Sequence, residues 1–348
     1  MRLLVLPGDG IGPEITAASL PALRALSERF KLNIEWKEDI VGHASLEKHG
    51  TTVRPDLLEA ARNADGLVLG PTAAFEFKDQ INPSMFFRKK LDLYANIRPS
   101  RTYDGVKAPA GAFDLVVVRE NTEGFYADRN VESGGSEMLI TPDVVVSLRR
   151  ITRQCCERIA RAAFQLAQTR KKHVTVVHKG NVLKLGDGMF LEECHKVARE
   201  FPGVTVDEII IDAMMAHAVR NPARFDVIVT TNMFGDILSD LTAELSGSLG
   251  LAGSVNAGDS HAMAQASHGT APDIAGKNIA NPFSLVLSMA LLLGWHGRRH
   301  KRQGFIDAEA ALDKAVEAAV AAKEATGDVG GKLGTRETGA ALAARLAK

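Results

Sequence analysis

The chain has 348 residues, more than a single hydrophobic core usually holds, so two domains or one two-lobed unit is the expectation. Lys plus Arg (42) equals Asp plus Glu (42), which argues against a general nucleic-acid or membrane surface and points to small-molecule chemistry. The three cysteines, Cys155, Cys156 and Cys194, form no CxxC pair and read as reduced thiols of a cytoplasmic protein.

In chain order, LLVLP (3–7) reads as a strand, too short an apolar stretch for a signal peptide. A glycine loop follows, then a helix from Pro13 to about Arg29. LNIEW (32–36) and GLVLG (66–70) read as further strands. FDLVVVREN (113–121), HVTVVHKGN (173–181), VTVDEIIID (204–212) and FDVIVTTN (225–232) have the β-branched character of buried strands. Thr141 and Pro142 suit the N-cap and first position of a long helix reaching about Arg170. FSLVLSMALLLGW (283–295) is too short to span a bilayer and reads as a buried helix. An alanine-rich helix runs from Asp307 to about Ala325. The whole is α/β. Gly- and Ser-rich loops at 130–137 and 246–260 mark a lobe boundary or a clasp.

TTNMFGDILSD (230–240) places Asp236 and Asp240 four residues apart, on one helix face directly after a strand. Such acids often do no more than favour the helix dipole. However, strand ends are where α/β proteins build ligand sites, and EIIID also ends on an acid, Asp212. Three carboxylates suit a hard cation such as Mg²⁺ or Mn²⁺. Arg88, Arg98 and Arg119 are candidates for bidentate carboxylate binding, Arg119 most of all because it ends an apolar strand. Lys179, at another strand end, is a candidate base, since a lysine crowded by cations gives up its proton more readily. Tyr126 follows a strand end by six residues. The loop PGDGIGPE (7–14) spaces its glycines G-x-G-x-G, so an ordinary Rossmann reading is rejected. HGTAPDIAGKNIANP (268–282) lacks periodicity and reads as a binding loop.

Taken in order, GDGIGPE, RKKLDLYANIRP, VVRENTEGFY, HKGNVLK, DAMMAH, NMFGDILSDL and HGTAPDIAGKNIANP resemble the β-decarboxylating dehydrogenases, the family of isocitrate, homoisocitrate, 3-isopropylmalate and D-malate/tartrate dehydrogenases. The resemblance covers nearly the whole chain. It implies an open two-domain α/β subunit without a Rossmann fold. One domain would combine residues 1–96 and 247–348 on the cofactor side, and residues 97–246 would form a central domain with the dimer interface and metal site. It further implies a homodimer with shared active sites, in which Lys179 and Asp212 reach across to the partner copy's arginines, tyrosine and remaining aspartates. On this reading Arg88, Arg98 and Arg119 bind a polycarboxylate substrate. Asp212, Asp236 and Asp240 hold Mg²⁺ or Mn²⁺. Lys179, assisted by Asp212, takes the hydroxyl proton, and Tyr126 protonates C3 after decarboxylation. His268, Gly269, Thr270, Ala271, Asp273, Ile274 and Asn281 bind NAD.

The branch within the family is less uniform. RENTEGFY favours the isocitrate, homoisocitrate and malate branches over isopropylmalate. INPSMFF resembles isocitrate enzymes around PSM, but those carry a polar residue where Phe86 or Phe87 falls. Ile81 stands where isopropylmalate enzymes usually have glutamate, Gln265 where the family often has glutamate, and the WxxR segment of tartrate-like members is missing. Asp273-Ile274 replaces the Lys-Tyr of NADP-using relatives. Two other classes compete with an oxidative decarboxylase: a metal-dependent lyase or isomerase without redox chemistry, and a regulatory subunit of the same fold. The second tends to lose the arginine, tyrosine or lysine positions, all of which are present.

Overall fold

The computed structural model describes residues 1–73, 76, 80–125 and 135–348. The chain opens with β1 (Arg2–Leu6), α1 (Gly12–Arg29) and β2 (Glu35–Glu38). After α2 (His43–His49) and α3 (Asp56–Arg62) comes β3 (Gly66–Leu69), and β1 pairs in parallel with both β2 and β3. The strand LNIEW is displaced to Glu35–Glu38 because Asn33 takes a left-handed φ of 52°, which turns the chain first.

α4 (Pro83–Lys90) starts where the Asn82 carboxamide accepts the Met85 N–H at 3.2 Å, with Pro83 at the first turn. β4 (Ala95–Arg101) and β5 (Asp114–Glu120) then pair antiparallel over seven positions. The helix expected from Thr141 is not there. Thr141 ends β6 (Glu137–Thr141), Pro142 lies in the turn, and β7 (Val144–Ser147) returns antiparallel. Thr-Pro-Asp is also a turn signal, and the run VVVS favours a strand. The helix, α5 (Arg153–Gln168), begins at Thr152, whose hydroxyl accepts the Cys155 N–H.

β8 (His173–His178), α6 (Gly186–Ala198), β9 (Thr205–Ile210), α7 (Ile211–Arg220), β10 (Val227–Thr230) and α8 (Asn232–Leu245) follow. β9 was expected to be a buried strand ending on Asp212. It is instead a half-exposed edge strand, and Asp212 lies in the first turn of α7. β11 (Val255–Ala257), β12 (Ala262–Gln265), α9 (Phe283–His300), α10 (Gln303–Ala321) and α11 (Thr335–Leu346) complete the order. α9 is apolar on nearly every face and correspondingly buried.

Among the described residues ten strands form one sheet in the order β2-β1-β3-β12-β11-β4-β5-β10-β8-β9. Both wings are parallel; the centre, β12-β11-β4-β5, is antiparallel. One large apolar cluster packs α1, α9 and α10 on the first wing, and another packs α5 and α6 on the second. The boundary expected at 96/97 falls inside β4 and that at 246/247 just past α8, while the sheet runs on through both. No helix among the described residues is long and apolar enough to cross a membrane.

On α9, His296 packs its ring 4.4 Å from His300 and 4.8 Å from Phe305. Neither ring nitrogen has a hydrogen-bond partner. Desolvation, reinforced by His300, outweighs an opposing pull from Asp65 and pushes its pKa down from 6.5 to about 4. The unfolded chain therefore takes up a proton that the folded state refuses. Stability from this group is complete above pH 6.5 and is lost as pH falls toward about 4. His296→Phe should flatten that decline in a profile of Tm against pH; an unchanged slope would count against the assignment.

Candidate active site

The antiparallel centre and α8 bring Arg98 and Arg119 together with Asp236 and Asp240. In the register, Asn256 on β11 faces Asn96 on β4, and Asn96 faces Arg119 on β5. Directly opposed residues share a face, and Arg98 lies two positions beyond Asn96 on that same face. α8 lies against this row at Gly235, where a Cβ would come within 2.7 Å of the Arg119 side chain. That close approach lets α8 turn Asp236 and Asp240 toward the arginines. Arg98 Nη1 donates to Asp240 at 3.1 Å and lies 3.4 Å from Asp236. Arg119, only 1% exposed, bonds to Asp236 through Nη1, while its Nε and Nη2 donate to the Asn232 carboxamide oxygen at 3.0 and 2.7 Å. Arg88 enters from α4 and donates to Gln265 at 2.7 Å. Two carboxylates on one helix face are a hard-oxygen donor pair that fits Mg²⁺ or Mn²⁺.

Lys179 and Asp212 form a separate pair, Nζ to Oδ1, at 2.5 Å. The Lys179 hydrogen bond holds the Asp212 carboxyl below the usual carboxylate range. Asp187, fully buried, fixes the turn that carries Lys179: one carboxylate oxygen accepts the Lys179 N–H and the other pairs with Arg149, each at 2.5 Å. Asp212 does not join Asp236 and Asp240 within one chain. Among the described residues no three His, Cys, Asp or Glu side chains are grouped to hold a metal. Tyr126 lies outside the described residues.

The loop 268–282 carries no regular element and is braced by the glycine loop. Ile11 N–H donates to the Thr270 carbonyl at 2.9 Å. Gly10 has φ 58°, and a Cβ there would meet that same oxygen at 2.2 Å. Gly10 thus serves close backbone packing against the candidate cofactor loop, while a Cβ at Gly8 or Gly12 would meet the carbonyl oxygen of Pro71 or Pro7. The Asp9 carboxylate, buried, accepts N–H groups of His43 and Ala73 and ties the neighbouring loops. His268 is desolvated, which pushes its pKa down, and its Nδ1 lies 3.0 Å from the Gly269 carbonyl oxygen. Gly269 and Asp273 are exposed, and Ile274 is half-buried. Ala271 takes a left-handed φ of 39°. Asn281 is buried and turned inward, donating to Asp328 at 2.9 Å and accepting the Phe283 N–H.

The family model for isocitrate/isopropylmalate dehydrogenase matches residues 2–342. The chain belongs to that family. It is 40% identical over 337 residues to the 3-isopropylmalate dehydrogenase of Archaeoglobus fulgidus, spanning 97% of this chain and 96% of the relative. It is 39% identical over 337 residues to the isocitrate/homoisocitrate dehydrogenase of Thermus thermophilus, spanning 96% and 95%. The crystal structure of isocitrate dehydrogenase from Methylococcus capsulatus superposes with a TM-score of 0.90 at 36% identity, covering 100% of this chain and 99% of that one. The fold is therefore of the isocitrate dehydrogenase type, as the failed Rossmann spacing and the ordered motifs led one to expect, and the family's members are decarboxylating dehydrogenases.

Residues of this candidate site that the sequence did not single out are the amides and the braces: Asn96, Asn232, Asn256, Asp187 and Arg149. Asn232 sits inside the quoted aspartate motif, immediately after a strand, and could have been noticed. Nothing local marks Asn256 or Arg149. Removing one partner of a buried ion pair leaves an uncompensated charge, so Asp187→Ala should destabilise the fold by about 3–5 kcal/mol. Denaturant titration measures this, and a loss below ~1 kcal/mol would show that Asp187 is not the brace of the Lys179 turn.

Proposed function

We propose that this chain oxidatively decarboxylates a 2-hydroxy acid carrying a carboxylate on C3, using NAD⁺ and one Mg²⁺ or Mn²⁺. The observation that carries the reading is the meeting of Arg98 and Arg119 with Asp236 and Asp240 on the antiparallel centre, with Arg88 linked to it through Gln265. Bound NAD⁺ would accept the hydride from C2, and the cation would polarise the hydroxyl and its neighbouring carboxylate. Arginine forks match carboxylates in shape and charge, so these three residues would clamp the substrate's acid groups. Lys179, after releasing its own proton to solvent by way of Asp212, is the neutral amine to which the hydroxyl proton would pass. Tyr126 is the candidate donor of the proton that replaces CO₂ on C3. Beside Arg88 the Ser84 hydroxyl and the Gln265 amide are polar groups that support a third carboxylate on C3, whereas Phe86 and Phe87 on the same helix support an alkyl group. The substrate proposed is isocitrate- or homoisocitrate-like. The relatives named as 3-isopropylmalate dehydrogenases support the alkyl alternative.

Asp273 supports NAD⁺ over NADP⁺. A carboxylate can accept a hydrogen bond from a ribose 2′-hydroxyl but repels a 2′-phosphate. Initial rates with isocitrate, homoisocitrate, 3-isopropylmalate and D-malate, with each cofactor and with or without a chelator, test the whole reading. We expect a tricarboxylate to be preferred, chelator to abolish turnover, and NAD⁺ to exceed NADP⁺ by at least about a hundredfold in kcat/KM. No reduced cofactor with any substrate would return the lyase or regulatory readings.

A homodimer is part of the proposal. Among the described residues Asp212 is not grouped with Asp236 and Asp240, so a second copy would supply Lys179 and Asp212 to complete each site. β6 and β7 support this: Leu139 is 69% exposed, and Ile140, Val145 and Val146 are also exposed. A two-stranded apolar ribbon is marginal in water unless something covers it. Val145→Asp should yield an inactive monomer by sedimentation; a fully active dimer would contradict the role of the ribbon.

A further inference from the structure

The three arginines share an unassigned feature: each is gripped by a buried, uncharged carboxamide. Arg88 Nη2 donates to the Gln265 oxygen at 2.7 Å, Arg98 Nε to the Asn96 oxygen at 2.6 Å, and Arg119 Nε and Nη2 to the Asn232 oxygen at 3.0 and 2.7 Å. Asn96 and Asn232 are fully buried, and Gln265 is 7% exposed. The amides are themselves oriented. Asn96 Nδ2 donates to the Ser254 hydroxyl at 2.8 Å, and Asn232 Nδ2 to the Glu123 carbonyl at 3.0 Å. The Gln265 oxygen also receives the Ser84 hydroxyl at 3.1 Å and Asn256 Nδ2 at 3.4 Å. With three donors converging on it, that atom must be the oxygen.

We propose that Asn96, Asn232 and Gln265 are positioning residues that fix the directions of the three guanidinium forks and so set the carboxylate spacing the site accepts. This rests on the reading that the arginines bind substrate carboxylates. The physical argument lies in the neutrality of the grip. An amide oxygen fixes an N–H direction without adding negative charge beside the arginine, whereas a carboxylate in the same place would compete with the substrate for it. The chain already places two acids, Asp236 and Asp240, within reach of Arg98. Acids at the amide positions as well would leave the guanidinium groups neutralised from within. Because β4, β5 and β12 are bonded into one sheet through β11, and Asn232 opens α8, the directions of the three forks are set relative to one another by backbone geometry.

The test is calorimetric titration of full-length protein with malonate, succinate and glutarate, whose carboxylates are separated by progressively longer chains. It needs no turnover, so it is independent of whether the proposed reaction occurs. Wild type should prefer one spacing by about tenfold. Gln265→Met keeps the volume but removes the acceptor; it should lower Tm through the donors left unmet, and flatten that preference while NAD⁺ affinity stays unchanged. Gln265→Glu keeps the acceptor and adds charge; it should retain the preference and weaken every diacid by about tenfold. Asn232→Asp should behave like Gln265→Glu, and if it fails to fold the two Gln265 variants decide alone. No spacing preference in wild type, an unaltered preference in Gln265→Met, or a loss that extends equally to NAD⁺ would overturn the proposal. A spacing preference that responds as expected, in a protein that turns over none of the hydroxy acids, would retain the positioning role and overturn only the proposed reaction.

Discussion

The constraint on which the rest of the structure depends is the burial of Arg119. A guanidinium taken almost wholly out of water costs several kcal/mol unless its donors are met. Asn232 and Asp236 meet them, and both come from the first turns of α8. That demand sets the distance between helix and strand, and Gly235 is where the distance is achieved. It also locks the register of β5. A slip of one residue would turn Arg119 to the opposite face, where Val116 and Val118 pack in the second-wing apolar cluster.

The same alternation separates chemistry from stability across the antiparallel centre. One face of β4 presents Asn96, Arg98 and Ser100, with Arg119 and Asn256 beside them in the register. The other presents Ala95 and Ile97, which join the apolar packing around α5. The parallel wings are covered by helices, as parallel sheets require, so their cores can be uniformly apolar. The polar row is confined to the four strands where direction reverses. There, short strands such as VNA and AMAQ carry small or amide side chains rather than a β-branched run.

This division explains what the sequence made legible. The wing strands β1, β3, β8 and β10, and β5 at the edge of the centre, are apolar runs bounded by turn residues, and their positions could be read directly. The other central strands could not. ANIRPSR has weak strand propensity and a proline, and it becomes β4 only because β5 and β11 hydrogen-bond to it on both sides. At Thr141 local chemistry supported both a helix start and a turn, and the β-branched run after it decided in favour of the turn. In the site, charged residues at strand ends were legible because charge in an apolar context is conspicuous. The amides were not, because Asn and Gln are ordinary surface residues unless their depth is known. Their role depends on pairings such as Asn96 with Ser254, 158 residues apart.

The charges of the site are arranged so that the chain neutralises much of them itself. Arg98 and Arg119 rest against Asp236 and Asp240, and Lys179 against Asp212. A partly buried row of like charges left facing one another would strain the fold; pairing Arg98, Arg119 and Lys179 with acids removes that cost and lets the site exist as part of a stable sheet. On the proposed reading an incoming polycarboxylate would not create new ion pairs from fully hydrated groups. It would exchange partners with acids already in place, and a divalent cation would take up the acids so released. On the proposed reading the two ligands are chemically complementary, because each occupies the charges the other frees. A site with the arginines alone would bind anions without discrimination, and a site with the aspartates alone would bind any hard cation. The interlocked set favours a ligand that brings both charges together.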